Sequence, residues 1–331
     1  MAKKTTRTAP RADRKPKREV RKTTDSTLTE RGGFRGGYAS ASRKPGKQKS
    51  SETSFVEKKD SAFSKKRQFP SRRTSAEGLT IFGLYEIEAA LANNFPIKRI
   101  VADESFLPDA KSARISESER RFQALFEKAE SLNVSIEYLS KYEFASLFGE
   151  KNRRIAALAD SFPYTDLSEA LAFASEESSV IVALDHVEDP GNLGAIIRTA
   201  EAMGALCVLI PKDRAAQMTE AAIRTSQGAA FVLPVCRVTN LARTLASLKE
   251  EGYWIAGLDM YAEQELKGFS SPAKTVLALG GEDAGLSRSV MEQLDFTLRI
   301  PLKGKTPSLN VSAAAAMALY ELLAAPSKAE K

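Results

Sequence analysis

Three short stretches of the chain combine polar side chains with glycines in a way that could hold and transform a ligand. The first is DPGNLGAIIRTAEAMG (189–204). Pro190 and Gly191 suit a turn out of a strand, and Asn192 suits the N-cap of the helix that follows. Asn192 and Arg198 stand six residues apart, so on a helix their directions differ by about 120°. Arg198 is a cation among Ala195, Ile196, Ile197, Ala200 and Ala202. Such a cation either snorkels or pairs with a carboxylate, or it serves a ligand. The second stretch, LGGEDAGLS (279–287), ends an apolar run in paired glycines that let a ligand approach the backbone. Glu282 sits in that turn and Gly285 keeps it tight; a surface turn with a solvated carboxylate is the plain alternative. The third, RIPLKGKTPSLNVSAAAAMALYELL (299–323), runs from a strand end at Ile300–Pro301 through a glycine-containing loop into a helix. Ser308 or Asn310 can cap that helix. Its Ala313, Ala314, Ala315 and Ala316 permit close packing, as in an ordinary buried terminal helix.

Several chemistries are excluded early. The chain of 331 residues contains one histidine, His186, so His-cluster metal chemistry has no ligands. His186 precedes the first stretch and reads as a non-catalytic loop residue. Its two cysteines, Cys207 and Cys236, lie inside apolar runs. They offer no disulfide framework, favour a reducing compartment such as the cytoplasm, and stand outside all three stretches. Nucleophilic thiol chemistry at these stretches is therefore disfavoured. Neither GxGxxG nor GxxxxGK[ST] occurs, which argues against a nucleotide-dependent dehydrogenase and a phosphate loop. No apolar run approaches the ~20 residues of a membrane span.

The elements that must position these loops follow from periodicity. Strand-like runs are VIVALD (180–185), LCVLI (206–210), FVLPV (231–235), YWIAGLD (253–259), TVLALG (275–280) and FTLRI (296–300). Most are continuously apolar, as strands covered on both faces should be. Helical patterns lie between them, so residues 178–326 read as a parallel sheet wrapped by helices. Ligands in such sheets bind beyond the carboxyl ends of the strands, which is where the three loops begin. Upstream, residues 77–160 read as a small α/β domain. Its elements are a helix in IFGLYEIEAALAN (81–93), a strand in IKRIVAD (97–103), a helix in RFQALFEKAESLN (121–133) and a strand in VSIEYLS (134–140). Residues 161–177 read as a linker with a lead-in helix.

Charge divides the chain. Residues 1–75 hold 23 Lys+Arg against 7 Asp+Glu, a net of +16, so the chain's +7 leaves −9 on the remainder. That basic segment has too little apolar surface to offset the entropy of ordering and is expected to be a disordered tail. RGGFRGGY (31–38) within it suits RNA, because guanidinium groups pair with phosphate and planar groups stack on bases. A solubilising tail or a targeting segment remains the alternative, although Asp13, Glu19 and the RGG repeats argue against targeting.

Taken together, the three stretches resemble the signature motifs of the SpoU (TrmH-like) RNA 2′-O-ribose methyltransferases of the SPOUT superfamily. The first motif is met at Asp189, Pro190, Asn192, Gly194, Arg198, Thr199 and Ala200. The second is met at Gly280, Glu282, Gly285 and Leu286. The third is met at Ile300, Pro301, Gly304, Ser308, Leu309, Asn310, Val311, Ser312 and Ala314. TSQGAAFVLPVCRVTNLA (225–242) resembles the family's middle region, so the likeness covers 178–326. Residues 77–160 resemble, more loosely, the family's L30e-like substrate-binding domain, with NRRIAALA (152–159) where that domain commonly ends in His-Gln-Gly.

The resemblance implies an α/β methyltransferase domain with a deep trefoil knot, preceded by an L30e-like domain and the basic tail. It implies S-adenosylmethionine held largely by backbone near Gly280, Ile300 and Leu309. It implies rRNA or tRNA as substrate, a homodimer, and a site using Asn192, Arg198, Glu282, Ser308 and Asn310. The reaction would be attack of a ribose 2′-hydroxyl on a sulfonium methyl, with loss of the hydroxyl proton. A guanidinium keeps its proton throughout the working pH range, so Arg198 is expected to hold phosphate and stabilise the developing alkoxide, with Glu282 orienting Arg198 or an Asn amide. An RNA-binding protein of the same fold without turnover is the competing expectation.

Overall fold

The computed structural model describes residues 78–106, 117–149, 153–175, 178–282 and 284–324. The basic segment 1–75 lies outside the described residues.

The first sheet is built from β1 (Leu79–Phe82), β2 (Ile97–Asp103), β3 (Ser135–Leu139) and β4 (Ile155–Ala159). Their order is β1-β4-β2-β3. β4 pairs antiparallel with both β1 and β2, while β2 and β3 run parallel. Helices α1 (Leu84–Ala92), α2 (Glu117–Ser131) and α3 (Lys141–Phe148) connect them. One sequence expectation needs correction here. The helix expected over 81–93 is a strand followed by a shorter helix, because Gly83 takes φ 99° and breaks the run. NRRIAALA holds a central strand, β4, whose Ala156 and Ala157 are fully buried. Small side chains let both neighbours pack closely against it.

After α4 (Leu167–Leu171) the second sheet begins. Its elements in chain order are β5 (Ser179–Asp185), α5 (Pro190–Ala202), β6 (Cys207–Pro211), α6 (Glu220–Ser226), β7 (Val235–Val238), α7 (Leu241–Glu250), β8 (Trp254–Leu258), β9 (Gln264–Glu265), β10 (Lys274–Gly280), α8 (Arg288–Met291), β11 (Phe296–Arg299) and α9 (Val311–Leu319). The strand order is β7-β6-β5-β10-β8-β11-β9, and every pairing is parallel. All seven residues of β5 are buried, as expected of a strand covered on both faces. The strand expected at 231–235 is instead a 3-10 turn at Ala229–Phe231, with β7 starting at Val235. Pro234 has no N–H for a ladder, and the Phe231 ring packs edge-on against Phe95 at 4.8 Å. β9 has only two residues, too few to carry a periodic signal.

The two sheets are tied by Phe95, whose ring meets both Phe162 and Phe231, and by an Arg153–Glu220 ion pair at 2.7 Å. Among the described residues no helix is long and apolar enough to cross a membrane.

Candidate active site

The carboxyl ends of β5 and β10 lie side by side, with Gly280 in register with Asp185. The loops leaving them, together with the start of α9, form the site. α5 does not start where the sequence suggested. Its N-cap is Asp189, whose carboxylate accepts from the Asn192 N–H at 2.8 Å, and Pro190 and Gly191 lie in the first turn. Proline tolerates the first helical position because the N–H it lacks has no partner there. Asn192 is therefore inside the helix with its side-chain amide uncommitted to capping.

That amide reaches across 90 residues of sequence. Asn192 Nδ2 donates to Glu282 Oε1 at 2.9 Å. Asn310 Nδ2 donates to the same oxygen at 2.8 Å and to Asn192 Oδ1 at 3.0 Å. Asn310 is the N-cap of α9, and its Oδ1 accepts from the Ser312 N–H at 2.9 Å and the Ser312 hydroxyl at 2.6 Å. Its oxygen is thus committed to the helix, and only the amino end can face the site. One residue from each signature loop meets here, all around a single carboxylate oxygen.

Two cavities flank this network. One, of about 380 Å³, takes Gly280, Ile300, Ser308 and Leu309 into its wall, beside the apolar Leu258, Leu279 and Leu302. The other, of about 480 Å³, is lined by His186, Val187, Asp189, Asn192 and Ser287. Glu282 and Val311 belong to both walls, so the network stands on their border. A Cβ on Gly280 would lie 2.1 Å from the Gly285 carbonyl carbon and 2.3 Å from the Leu286 nitrogen. Only glycine lets the chain fold back on itself there, bringing main-chain groups to the cavity wall.

Arg198 lines neither cavity and takes no part in the network. It is exposed on α5 and makes no ion pair among the described residues. Of the two partners expected for Glu282, its hydrogen bonds run to the Asn amides. Sequence reasoning passed over Asp185. This carboxylate is only 2% exposed, and it accepts from the Ser287 N–H at 2.6 Å while its other oxygen holds His186 Nδ1 at 2.7 Å. It thereby ties the first loop to the second; its place at the end of an apolar strand was the available signal. Cys207 and Cys236 are buried in the sheet, and the neighbouring Cys236 together with burial pushes the Cys207 thiol up. Among the described residues no group of three His, Cys, Asp or Glu could hold a metal ion.

A polar network at the carboxyl edge of an all-parallel sheet, bordered by a glycine-walled cavity, defines a ligand-binding α/β domain of the enzyme type. The SpoU rRNA Methylase family matches residues 179–320. RlmB of Coxiella burnetii, a 23S rRNA (guanosine-2′-O-)-methyltransferase, is 40% identical over 206 residues, which cover 62% of this chain and 82% of that protein. YacO of Bacillus subtilis, a TrmH family protein, is 36% identical over 202 residues, covering 60% of this chain and 81% of its own. Among solved structures, AviRb of Streptomyces viridochromogenes in complex with AdoMet shares the fold at a TM-score of 0.61 and 23% identity, over 77% of this chain and 92% of that one. An RNA 2′-O ribose methyltransferase structure matches at a TM-score of 0.58 and 27% identity, over 73% and 86%. This chain belongs to the SpoU (TrmH-like) family.

Proposed function

We propose that the protein is an S-adenosylmethionine-dependent methyltransferase acting on a ribose 2′-hydroxyl of rRNA or tRNA. The observation that carries this reading is the meeting of Asn192, Asn310 and Glu282 on the border of two cavities. The residues present fit the cofactor. The cavity bearing Gly280, Ile300 and Leu309 joins apolar side chains to a backbone brought close by glycine, which suits a flat adenine read by main-chain groups. When bound, S-adenosylmethionine supplies an electrophilic methyl group on a sulfonium.

The protein's own residues do the rest. Glu282 Oε1 is saturated by two amide donors, which leaves Oε2 as an acceptor for an incoming hydroxyl. Asn192 and Asn310 fix that carboxylate in place, so little reorganisation is needed as charge shifts. Ser308, on the cofactor cavity wall, adds a hydroxyl near the transfer point. Arg198, exposed and with no ion pair among the described residues, offers a guanidinium to the RNA phosphate and to the alkoxide that develops as the proton leaves.

The further architecture follows the family. Residues 178–326 form the methyltransferase domain, its chain passing through a trefoil knot. Residues 77–160 form an L30e-like domain that presents RNA to it. The exposed Met317 of α9 and Tyr320 at its C-cap, beside the small alanines of that helix, suit the interface of a homodimer. The cytoplasm is the compartment where such RNA is reached. Incubation of the purified protein with S-adenosylmethionine labelled in its methyl group and with bulk ribosomal or transfer RNA tests the reading. Label on 2′-O-methylated nucleosides after digestion is expected. RNA binding without label transfer would favour a protein of this fold lacking turnover.

A further inference from the structure

The loop that follows β6, residues 212–218, is built with unusual care for a surface connection. Gln217 Nε2 donates to the carbonyls of Pro211 (3.1 Å), Lys212 (3.4 Å) and Ala215 (3.1 Å). Its Oε1 accepts from the Tyr164 hydroxyl at 3.2 Å, and that hydroxyl accepts from the Met218 N–H at 3.1 Å. The loop is also fastened outward. The Ala216 N–H donates to the Val187 carbonyl at 2.8 Å, and the Lys212 N–H to the Val238 carbonyl at 2.8 Å. Val187 lines the cavity that holds Asn192 and Glu282. The bracket therefore abuts the candidate active site.

The bracket presents Lys212 and Arg214 to solvent, with Asp213 between them. Neither cation has a carboxylate partner among the described residues. Arg214 sits at φ 52°, a left-handed conformation that an arginine holds only when its surroundings impose it. Arg237 lies nearby, its guanidinium 4.5 Å from the centre of the Tyr164 ring that anchors Gln217. This local surplus of cations stands on a body, residues 76–331, that carries a net −9. Such a body repels a polyanion except where cations are gathered. A ribose presented to the site is flanked by its own phosphates, which must pass close to the cavity mouth.

We propose that Lys212 and Arg214 form a phosphate clamp for the RNA strand flanking the acceptor nucleotide, with Gln217 as the positioning residue that shapes it. The proposal rests on the methyltransferase reading for its ligand, and its test separates the two. The full-length protein and its variants are titrated with a ribosomal RNA fragment at several salt concentrations. In parallel, methyl transfer and S-adenosylmethionine affinity are measured. Each phosphate neutralised on a single strand contributes about −0.7 to the slope of log affinity against log salt. The Lys212→Ala/Arg214→Ala variant should bind RNA about tenfold more weakly and flatten the slope by about 1.4. Its cofactor affinity and its turnover at saturating RNA should stay near the wild-type values, so the loss appears in KM. Gln217→Ala should give part of the same loss, and added to the double variant it should weaken RNA binding no further. A merely structural glutamine would instead cost the same in both backgrounds and lower the melting temperature. An unchanged salt slope in the double variant overturns the clamp, whatever the turnover. If the wild type transfers no methyl group, the enzyme reading fails, and the slope still decides the clamp.

Discussion

Gly281→Ala is the most direct perturbation of the site, because its effect can be worked from two loops that touch. A Cβ at this position would stand 2.3 Å from the His186 carbonyl oxygen and 3.2 Å from its carbon. Real Cβ contacts essentially never fall under 3.0 Å, so the loops must part by at least about 0.7 Å. Neither side yields easily. The Gly281 N–H is bonded to the Asp185 carbonyl at 2.9 Å, and the His186 ring and the Ser287 N–H are both pinned by the buried Asp185 carboxylate. Glu282 is the next residue and moves with the loop. Its bonds to Asn192 and Asn310, now 2.9 and 2.8 Å, would lengthen to about 3.5 Å, past useful geometry. Overpacking of this kind costs about 1–3 kcal/mol of stability, or roughly 2–10 °C in melting temperature for a domain of this size. A misplacement approaching 1 Å at a reacting centre can cost about a hundredfold in rate. The assay pairs thermal unfolding with steady-state methyl transfer, and Gly304→Ala is the control. A Cβ there meets nothing nearer than the Thr306 nitrogen at 4.0 Å, so both readouts should stay near wild type. A Gly281→Ala protein that melts and turns over normally would refute the reasoning.

Arg198→Ala should abolish methyl transfer and leave cofactor affinity within a few-fold, since Arg198 lines neither cavity. Arg198→Lys should fail too, because lysine lacks the planar fork; near-normal turnover in either variant removes Arg198 from the mechanism. Glu86 has its carboxyl pKa raised, mainly by burial, with Arg224 opposing the shift. The folded state therefore holds this proton more tightly than the unfolded state. The resulting stability is present below the ordinary carboxyl pKa and is lost as pH climbs through the raised value. Glu86→Gln should match wild type near pH 4 and gain on it at pH 7–8 in denaturant titrations, whereas a difference independent of pH would contradict this. Sedimentation at micromolar concentration should show a dimer; a fully active monomer would remove the proposed role of the last helix.

The sheet was legible where strands are long and buried on both faces. β5 and β10 read almost residue for residue, because a continuous apolar run bounded by Asp185 or Gly280 has few other meanings. FVLPV misled for the same reason. A run of that composition also fits a 3-10 turn whose Phe231 fills a contact with Phe95, and only tertiary packing decides between them. β1 was hidden because its apolar residues continue into α1, and the break at Gly83 is a matter of one backbone angle.

The site was legible as three loops and illegible as a network. Asn192, Glu282 and Asn310 are separated by 90 and 28 residues, and no spacing rule joins them. Their arrangement turns on which residue caps which helix. Had Asn192 capped α5, as its type suggested, its oxygen would be spent on a backbone N–H, and the helix would start three residues later. Asp189 takes that role and frees the Asn192 amide for Glu282. Asn310 does cap α9, and this is what orients it. With Oδ1 bound to Ser312, Nδ2 must face Glu282 and Asn192. The Asn192 oxygen then accepts, so its own Nδ2 must turn to the carboxylate. Every amide direction in the network follows from one capping bond, and the chain of donors ends on a single oxygen of Glu282. The polarity of the site is thus set by helix-end chemistry, which local sequence shows only as two interchangeable cap residues.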